Sequence, residues 1–488
     1  MRYALLLLLM TSFLVPAAEP PARWFAERAQ QRQERATFTA TAAKDRVAKA
    51  KAAKAVVDKL LLDPKISEAP RAELTALVDA IATIDPATVA PLQAQVQALP
   101  ASGPATDPKV VEAWKKRLAS ARTTICRPLE SFGFQAVECG AFDIAHQTLL
   151  QVLAVEPMHA NLHRNLGLTW VDGRWYGPRD MEMVTAGGRW NDEMGWVQAG
   201  QEARYAKGDY FDLGSKAWTT LEAANRRHAV WTDPWVLKTE HLELTGTTDL
   251  KELVLVANRL EAFYAQIFAS YTNFFVSDHR DARIIFGLKP HPRLNVQLAR
   301  DIEDYRISLP KGIDAGWSAG MYLPHLAKSC FFAGPMGVMY HEFTHQILDQ
   351  FNGGGGPPAW LVEGIAVYTE APRFIDGRLV LGDLKENDMI QSYFKDPSQR
   401  LPLSKLLAIT SNATWSATTN PGPQYATAGA LLHFALEADQ RARRADTIDY
   451  LRDAYQGMAR EKQLWHYWGI AREELEKRFI TWTETTKP

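Results

Sequence analysis

Two consecutive stretches near the middle of the chain carry hydrophobic residues at helical spacing. In the first, residues 336–351, apolar side chains recur three and four positions apart immediately after Pro335. The glycine-rich run 352–356 then interrupts the pattern, and a second apolar stretch covers residues 358–370, just before Pro372. The pattern predicts two helices joined by a glycine loop, which can fold back on each other as a hairpin.

The flanking segments predict a small sheet and a helical C-terminus. Residues 236–244 alternate apolar and polar side chains as a strand does, and residues 250–269 return to helical spacing. Residues 283–286 and 316–322 are predicted to be further strands, the last of them an edge strand over a cleft. Residues 403–482 are predicted to be mainly helical. This order indicates the α+β class, with a small mixed sheet packed against helices.

The N-terminal half is predicted to be mostly α-helical. Residues 18–105 are rich in Ala, Lys, Arg, Gln and Glu, which predicts a loosely packed helical arm. Residues 106–170 are predicted to form helical hairpins that resemble one tetratricopeptide repeat, with Pro157 ending a helix. Gly-Arg-Trp occurs at both 173–175 and 188–190, which predicts two small turn-and-strand units. The expected regions are a signal peptide (1–17), the arm (18–105), the hairpins (106–170), a Trp- and Gly-rich connector (171–230) and an α+β domain (231–488).

The first residues have the pattern of an export signal. Arg2 precedes a short apolar core, and small residues at the end of this segment favour cleavage after Ala17. The apolar run is too short for a spanning helix, so no integral membrane span is expected. The segment has no cysteine at the cleavage site, so no lipid anchor is indicated. We therefore expect a periplasmic or secreted protein.

Composition narrows the possible functions. Of the 488 residues, 47% are hydrophobic and the formal net charge is −1, which suits a globular protein and argues against electrostatic binding to nucleic acid.

In an oxidising compartment Cys126 and Cys139 could form a disulfide, which would leave Cys330 unpaired.

The first central helix carries the main candidate for chemistry. His341 and His345 lie one helical turn apart, so their imidazoles share a face and can converge on one tetrahedral metal. Glu342 lies between them and is available to act on a metal-bound water. The predicted hairpin would bring Glu363, on the second helix, toward both histidines.

These motifs resemble a known group of enzymes. His341-Glu342-x-x-His345 followed by a helical Glu363 is similar to the gluzincin metallopeptidases, and residues 358–368 resemble the peptidase-MA-like domain of secreted bacterial proteins. The resemblance covers residues 230–485 and implies a zincin-like fold. It also implies that His341, His345 and Glu363 bind Zn²⁺ and that Glu342 is the general base.

Two further features follow from the resemblance. Gluzincin-like domains often carry a tyrosine at the start of a later helix, which makes Tyr425 the first candidate to stabilise an oxyanion; a core tyrosine bonded to backbone is the alternative. His433 is a weaker candidate. Many gluzincins place an acidic residue four positions after the ligand Glu, where this chain has Val367. Support for the histidines is therefore unassigned, although Glu370 could supply it.

Other side chains compete poorly as metal ligands. Asp349 follows His345 by one turn, but a third ligand from the same helix would strain tetrahedral convergence. Phe351 occupies the position where metzincins have their third histidine, so that subclass is disfavoured. Cys330 is more simply interpreted as a buried structural thiol.

The sequence therefore predicts a secreted zinc peptidase acting on a peptide or protein substrate. Two alternatives remain open: an inactive peptide-binding scaffold that retains its zinc site, and a zinc amidase that acts on cell-wall material. The N-terminal helical region could bind a protein partner.

Overall fold

The computed structural model describes residues 22–63, 69, 71–82, 84–99, 107–138, 141–212, 216–276, 292–313, 318–375 and 378–486. The expected signal peptide, the strand predicted at 283–286 and Cys139 lie outside these residues, so the pairing of Cys126 with Cys139 does too. Among the described helices, none combines the length and apolar character that crossing a membrane requires. The molecule is mostly helical with small sheets, which confirms the α+β class.

The described part of the N-terminal region contains six helices: α1 (Ala22–Leu61), α2 (Arg71–Ala82), α3 (Pro86–Ala98), α4 (Pro108–Glu138), α5 (Phe142–Val155) and α6 (Ala160–Asn165). The second half of α1 shares one hydrophobic core with α2 to α5. Helices α4 and α5 approach closely at Gly133, where an added Cβ would lie 2.9 Å from Leu149 Cγ. The core therefore crosses the boundary expected at residue 105, and residues 50–57 of the expected loose arm are packed into it.

Three two-stranded hairpins, each followed by a short helix, form the connector: β1 (Thr169–Val171), β2 (Arg174–Tyr176), α7 (Asp180–Thr185), β3 (Gly188–Asn191), β4 (Gly195–Gln198), α8 (Glu202–Tyr205), β5 (Asp209–Asp212), β6 (Ala217–Thr220) and α9 (Leu221–His228). Two of them carry the predicted Gly-Arg-Trp units, and the third was not predicted. In every hairpin two aromatic residues oppose each other: Trp170 and Trp175, Trp190 and Trp196, Phe211 and Trp218.

The C-terminal region starts with strands and a long helix: β7 (Trp235–Lys238), β8 (Leu242–Gly246), α10 (Leu250–Ser270), α11 (Thr272–Phe275), β9 (Leu294–Ala299), α12 (Ile302–Ser308), β10 (Gly320–Leu323) and β11 (Lys328–Phe332). It continues with α13 (Met336–Asp349), α14 (Ala359–Thr369), β12 (Arg373–Ile375), β13 (Arg378–Val380), α15 (Asp388–Lys395), α16 (Leu403–Leu407), α17 (Asn412–Ser416), α18 (Gly422–Arg441), α19 (Arg444–Tyr455), α20 (Leu464–Trp468) and α21 (Arg472–Thr485).

Among the described residues, the largest sheet has five strands in the order β10-β11-β9-β8-β7. Strands β8, β9 and β11 are parallel, while β7 and β10 run antiparallel along the two edges. The prediction of one strand over residues 236–244 was wrong, because Thr239 to His241 turn the chain and make β7 and β8 a hairpin. Strand β10 lies at an edge, as expected for the segment 316–322, although the described strand begins only at Gly320.

Helices cover both faces of this sheet. On one face, Leu244, Val296 and Phe331 join a core with α10, α13, α14 and α18. On the other face, Tyr305 from α12 packs with Cys330 in a smaller cluster. The sheet therefore holds α13 directly beneath β10 and β11, which places the histidine motif next to the edge strand.

The start of α1 is anchored to the C-terminal helices by buried charges. Arg28 is 7% exposed and pairs with Asp446 at 3.0 Å and with Asp449 at 2.8 Å, both on α19. Arg35 also contacts Asp449 at 3.3 Å, and Arg32 donates to the Tyr467 carbonyl at 2.8 Å. These contacts show α1 packed at both ends rather than loosely held.

Candidate metal centre

The amphipathic character of α13 aims the two histidines at a cleft. On its core side, Met339, Phe343 and Ile347 are at most 1% exposed and pack into the core. His341 and His345 lie on another face and are only partly buried. The side chains that pack therefore set the rotation of the helix, and this rotation presents both imidazoles on one side.

The glycine loop reverses the chain by packing against the end of α19. The backbone N–H groups of Gly353 and Gly355 both donate to the Tyr455 carbonyl at 3.1 Å. Gly354 has φ +87°, a conformation that favours glycine. A Cβ on Gly355 would overlap the Ala454 carbonyl, so only glycine allows this close approach. The loop thereby sets where α14 starts relative to α13.

Helix α14 is positioned by tight packing against α18. At Gly364 an added Cβ would lie only 2.8 Å from the Ala428 carbonyl oxygen, so the two backbones approach directly. Trp360 and Leu361 are fully buried on the core side. This packing turns the neighbouring Glu363 toward α13 and the two histidines.

The predicted ligand atoms come together in the cleft. Glu363 Oε2 lies 3.3 Å from His341 Nε2 and 3.5 Å from His345 Nε2, and the two rings are nearly perpendicular, at 82°. A tetrahedral zinc with N and O ligands at about 2.0–2.1 Å would hold neighbouring ligand atoms about 3.3 Å apart. The three side chains form the one group of three or more His, Cys, Asp and Glu among the described residues that could hold a metal ion. Donor types and spacings therefore both fit a metal such as Zn²⁺.

The charges of this cluster are strongly coupled. Burial by itself would lower the pKa of His341, but its hydrogen bonds to Glu363 and Glu370 raise it to about 10. Burial would raise the pKa of Glu363, but the charge of His345 and hydrogen bonds from both histidines hold it well below its usual range. A metal would compete with protons for the same nitrogens, so binding should weaken as the pH falls.

One histidine is oriented by a carboxylate just beyond the end of the second helix. His341 Nδ1 lies 2.9 Å from Glu370 Oε2, which leaves Nε2 directed at the ligand cluster. Val367, where many gluzincins have an acidic residue, is 1% exposed and packs against Gly429 of α18 instead. Support for His341 therefore comes from Glu370, the residue that the sequence offered for this role. Glu370 follows Glu363 by seven residues, about two helical turns, so the sequence pattern already indicated that both carboxylates lie on the same side.

Glu342 faces the edge strand. The backbone N–H of Tyr322, on β10, donates to Glu342 Oε2 at 2.8 Å. The Tyr322 hydroxyl donates to Asp349 Oδ2 at 2.6 Å. The sequence predicted the strand but assigned no role to Tyr322, because no local pattern reveals which backbone group of a strand will meet a helix side chain.

The structure places only one of the two candidate oxyanion donors, Tyr425 and His433, near the ligand cluster. The ring of Tyr425, at the start of α18, lies 6.1 Å from the ring of His341. Burial, followed by the charge of Glu363, raises the pKa of the Tyr425 phenol, so it stays protonated and able to donate. His433 bonds through Nε2 to the Gly382 carbonyl at 3.0 Å and stacks on Trp482, away from the ligand cluster.

The remaining candidates have structural contacts. Asp349 accepts hydrogen bonds from Tyr322 and Asn352. Phe351 packs edge-on against Phe275, with ring centroids 4.6 Å apart. Cys330 is 1% exposed on β11, and burial raises the pKa of its thiol to about 11. It is therefore a buried thiol, as expected.

Comparison with known proteins adds a family relationship for part of the chain. A family model described as "Protein of unknown function (DUF1570)" matches residues 336–456. This segment contains all three metal-ligand candidates, Glu370 and Tyr425, and it ends just after Tyr455, whose carbonyl holds the glycine loop. No curated protein and no solved structure matched the chain. The region that carries the site is thus similar to a defined family, and no activity follows from that similarity.

Proposed function

We propose that the protein is a zinc-dependent peptidase of the gluzincin type with a zincin-like catalytic domain. The observation that carries this proposal is the meeting of three ligand atoms, from His341, His345 and Glu363, in which the Glu363 oxygen lies 3.3 and 3.5 Å from the two histidine nitrogens, close to the spacing that tetrahedral zinc requires. Glu342 lies next to this group on the same helix turn, and the edge strand adjoins it. The export-type N-terminal sequence supports a periplasmic or secreted location.

Each residue then has a defined task. His341, His345 and Glu363 would hold the ion. When bound, the ion would lower the pKa of a water to near neutral and would polarise the substrate carbonyl. Glu342 accepts the proton of that water and later delivers it to the leaving amine. Glu370 keeps the His341 ring in a fixed orientation through Nδ1.

The cleft also offers groups for the substrate. Tyr425 would donate its hydroxyl hydrogen to the oxyanion that develops during attack, because its phenol stays protonated and lies beside His341. The edge strand β10 borders this cleft, with its outward Tyr322 N–H bonded to Glu342 and its outward Gly320 groups bonded to Ser318. These features favour hydrolysis of a peptide bond over a purely scaffolding role.

Metal analysis of the purified protein, with and without Glu342→Gln, tests the proposal. We expect about one zinc per chain in both proteins and peptide hydrolysis by the wild type alone. Glu363→Ala should lose the metal. Wild-type protein without zinc, or unchanged metal content in Glu363→Ala, would contradict the proposal.

Substrate arrays distinguish the alternatives. Assays on a peptide library and on cell-wall fragments, run side by side, separate a peptidase from an amidase. A protein that binds zinc and peptides but hydrolyses neither substrate class would be a scaffold with a retained metal site.

A further inference from the structure

Strand β10 is connected to the candidate catalytic helix by one residue that makes two bonds. The backbone N–H of Tyr322 donates to Glu342 Oε2 at 2.8 Å, and its hydroxyl donates to Asp349 Oδ2 at 2.6 Å. Glu342 and Asp349 are seven residues apart on α13, about two helical turns and 10 Å along the axis. Tyr322 therefore spans two turns of α13, a stretch that contains His345 and begins one residue after His341.

The backbone bond follows from the register of the edge strand. Tyr322 lies opposite Ser329 in an antiparallel pair, and its N–H points toward Glu342 instead of across to β11. Inward and outward N–H groups alternate along such a strand, so the N–H of Met321 points toward β11. The outward groups of Gly320 are also engaged, because its N–H and carbonyl both bond to the Ser318 hydroxyl.

The hydroxyl bond belongs to a longer chain of contacts. Asp349 also accepts from Asn352 Nδ2 at 3.1 Å, and Asn352 Oδ1 accepts from the N–H of Gly354 at 3.1 Å. This chain connects the edge strand to the glycine loop that sets the separation of α13 and α14. Burial and the hydrogen bond to Asp349 raise the pKa of the Tyr322 phenol, so it remains a donor.

A general base needs a fixed carboxylate. The terminal torsion of a glutamate side chain is broad, so a free Glu342 would sample many orientations. The bond from Tyr322 occupies Oε2 and leaves Oε1 for the proton that the reaction moves. Loss of a fixed geometry of this kind costs up to about 100-fold in rate.

We infer that Tyr322 is a positioning residue, which orients Glu342 through its backbone N–H and is itself anchored to α13 through its hydroxyl on Asp349. This pair of bonds is called the Tyr322 clasp below. The inference rests on the proposed function for its catalytic consequence, while the clasp itself can be measured without a substrate.

The catalytic test compares Tyr322→Phe, Asp349→Ala and the double variant with the wild-type protein. Both single variants should lower kcat by about 10- to 100-fold and change KM by less than about 3-fold, with zinc content unchanged. The double variant should lose little more than either single variant, because both remove the same bond. Tyr176→Phe is the matched control, since it removes a hydroxyl that accepts from the N–H of Trp190 in the connector; its kcat should equal that of the wild type.

The second test is hydrogen exchange resolved to single amides. The Tyr322 amide should be protected in the wild type and lose protection in Glu342→Ala, while the Met321 amide stays protected in both. Tyr322→Phe should speed exchange at position 322 alone.

The outcomes separate the two proposals. A wild-type protein that hydrolyses nothing but shows this exchange pattern would overturn the proposed function and leave the clasp intact. A Tyr322 amide that exchanges as fast in the wild type as in Glu342→Ala would overturn the clasp. So would unchanged kcat in Tyr322→Phe, or an effect confined to KM or to zinc content.

Discussion

His341 Nδ1 lies 2.9 Å from Glu370 Oε2, and Glu370 directly follows the last residue of the second helix, α14. The carboxylate holds the imidazole so that Nε2 is directed at the ligand cluster, and it increases the basicity of that nitrogen. By contrast, Nδ1 of His345 is buried without a hydrogen-bond partner among the described residues. The two histidines are therefore supported unequally, and removal of Glu370 should affect the site through His341.

Glu370→Ala should weaken zinc binding about 10- to 100-fold, because His341 loses both its orienting partner and a nearby negative charge. Competition with a chromophoric chelator measures the affinity. The zinc affinity of Glu370→Gln should lie between those of the wild type and Glu370→Ala, since an amide oxygen can still accept the hydrogen bond. The exposed Glu386→Ala is the control, and an equal loss of affinity there would argue against a specific role for Glu370.

Val367→Asp should destabilise the fold without improving the metal site. Val367 is 1% exposed and packs against Gly429, so a carboxylate there would be buried facing α18, away from His341. We expect the free energy of unfolding to fall by at least about 3 kcal/mol, measured by urea denaturation. Val367→Ala, which adds no charge, should cost less, about 1–2 kcal/mol. Tighter zinc binding by Val367→Asp would show that the helix presents this position to the site.

Two adjacent glycines in the loop should respond oppositely to alanine. A Cβ at Gly355 would overlap the Ala454 carbonyl, so Gly355→Ala should lower the free energy of unfolding by about 1–3 kcal/mol. A Cβ at Gly356 meets nothing within 4 Å, so Gly356→Ala should be neutral or should stabilise by up to about 1 kcal/mol. Thermal unfolding of both variants checks this. Equal losses would mean that the loop does not pack against α19 as described.

A second histidine–carboxylate pair should make stability depend on pH. His241 Nδ1 lies 2.7 Å from Glu261 Oε2 on α10. Burial would lower the pKa of His241, but the charge of Glu261 raises it; burial would raise the pKa of Glu261, but His241 lowers it. The histidine contribution is complete below its unfolded pKa of about 6.5 and is lost as the pH rises through its folded pKa. The glutamate contribution is complete above about pH 4.3 and is lost as the pH falls through its folded pKa.

The stabilisation by this pair should therefore be largest between about pH 4.3 and 6.5. Urea unfolding of the wild type and of Glu261→Gln across pH 3.5 to about 9 measures the difference in free energy. The gap between the two proteins should be widest in that window and narrow on both sides. A gap that stays constant with pH would show that the two groups are not coupled.

The contact between the N-terminal helix and the C-terminal region should contribute substantially to stability. Arg28→Ala would leave Asp446 and Asp449 buried with fewer partners, so we expect a loss of about 3 kcal/mol in the free energy of unfolding. Arg23→Ala removes an exposed pair with Glu27 on the same helix and should have little effect. Similar stability of the two variants in urea would show that the buried contact is weak.

Much of the site could be predicted from local spacing. The predicted helix 336–351 corresponds to α13, and the predicted helix 358–370 corresponds to α14, each within two residues. Helical periodicity and the glycine run are local signals, so they can be recognised without knowledge of the fold. The prediction of one strand over residues 236–244 was wrong, because alternation continues through a tight turn and conceals it.

The sequence by itself determined the two helices, their glycine loop and the shared face of His341 and His345, because residues four apart on a helix share a face in any fold. Glu363 was the third candidate through the family resemblance and the predicted hairpin. Only the tertiary structure decided that Glu370 orients His341, that Val367 faces α18, and that the N–H of Tyr322 meets Glu342. These contacts depend on the rotation of each helix and on which strand forms the sheet edge. Both are set by packing between residues far apart in the chain, which no local pattern records.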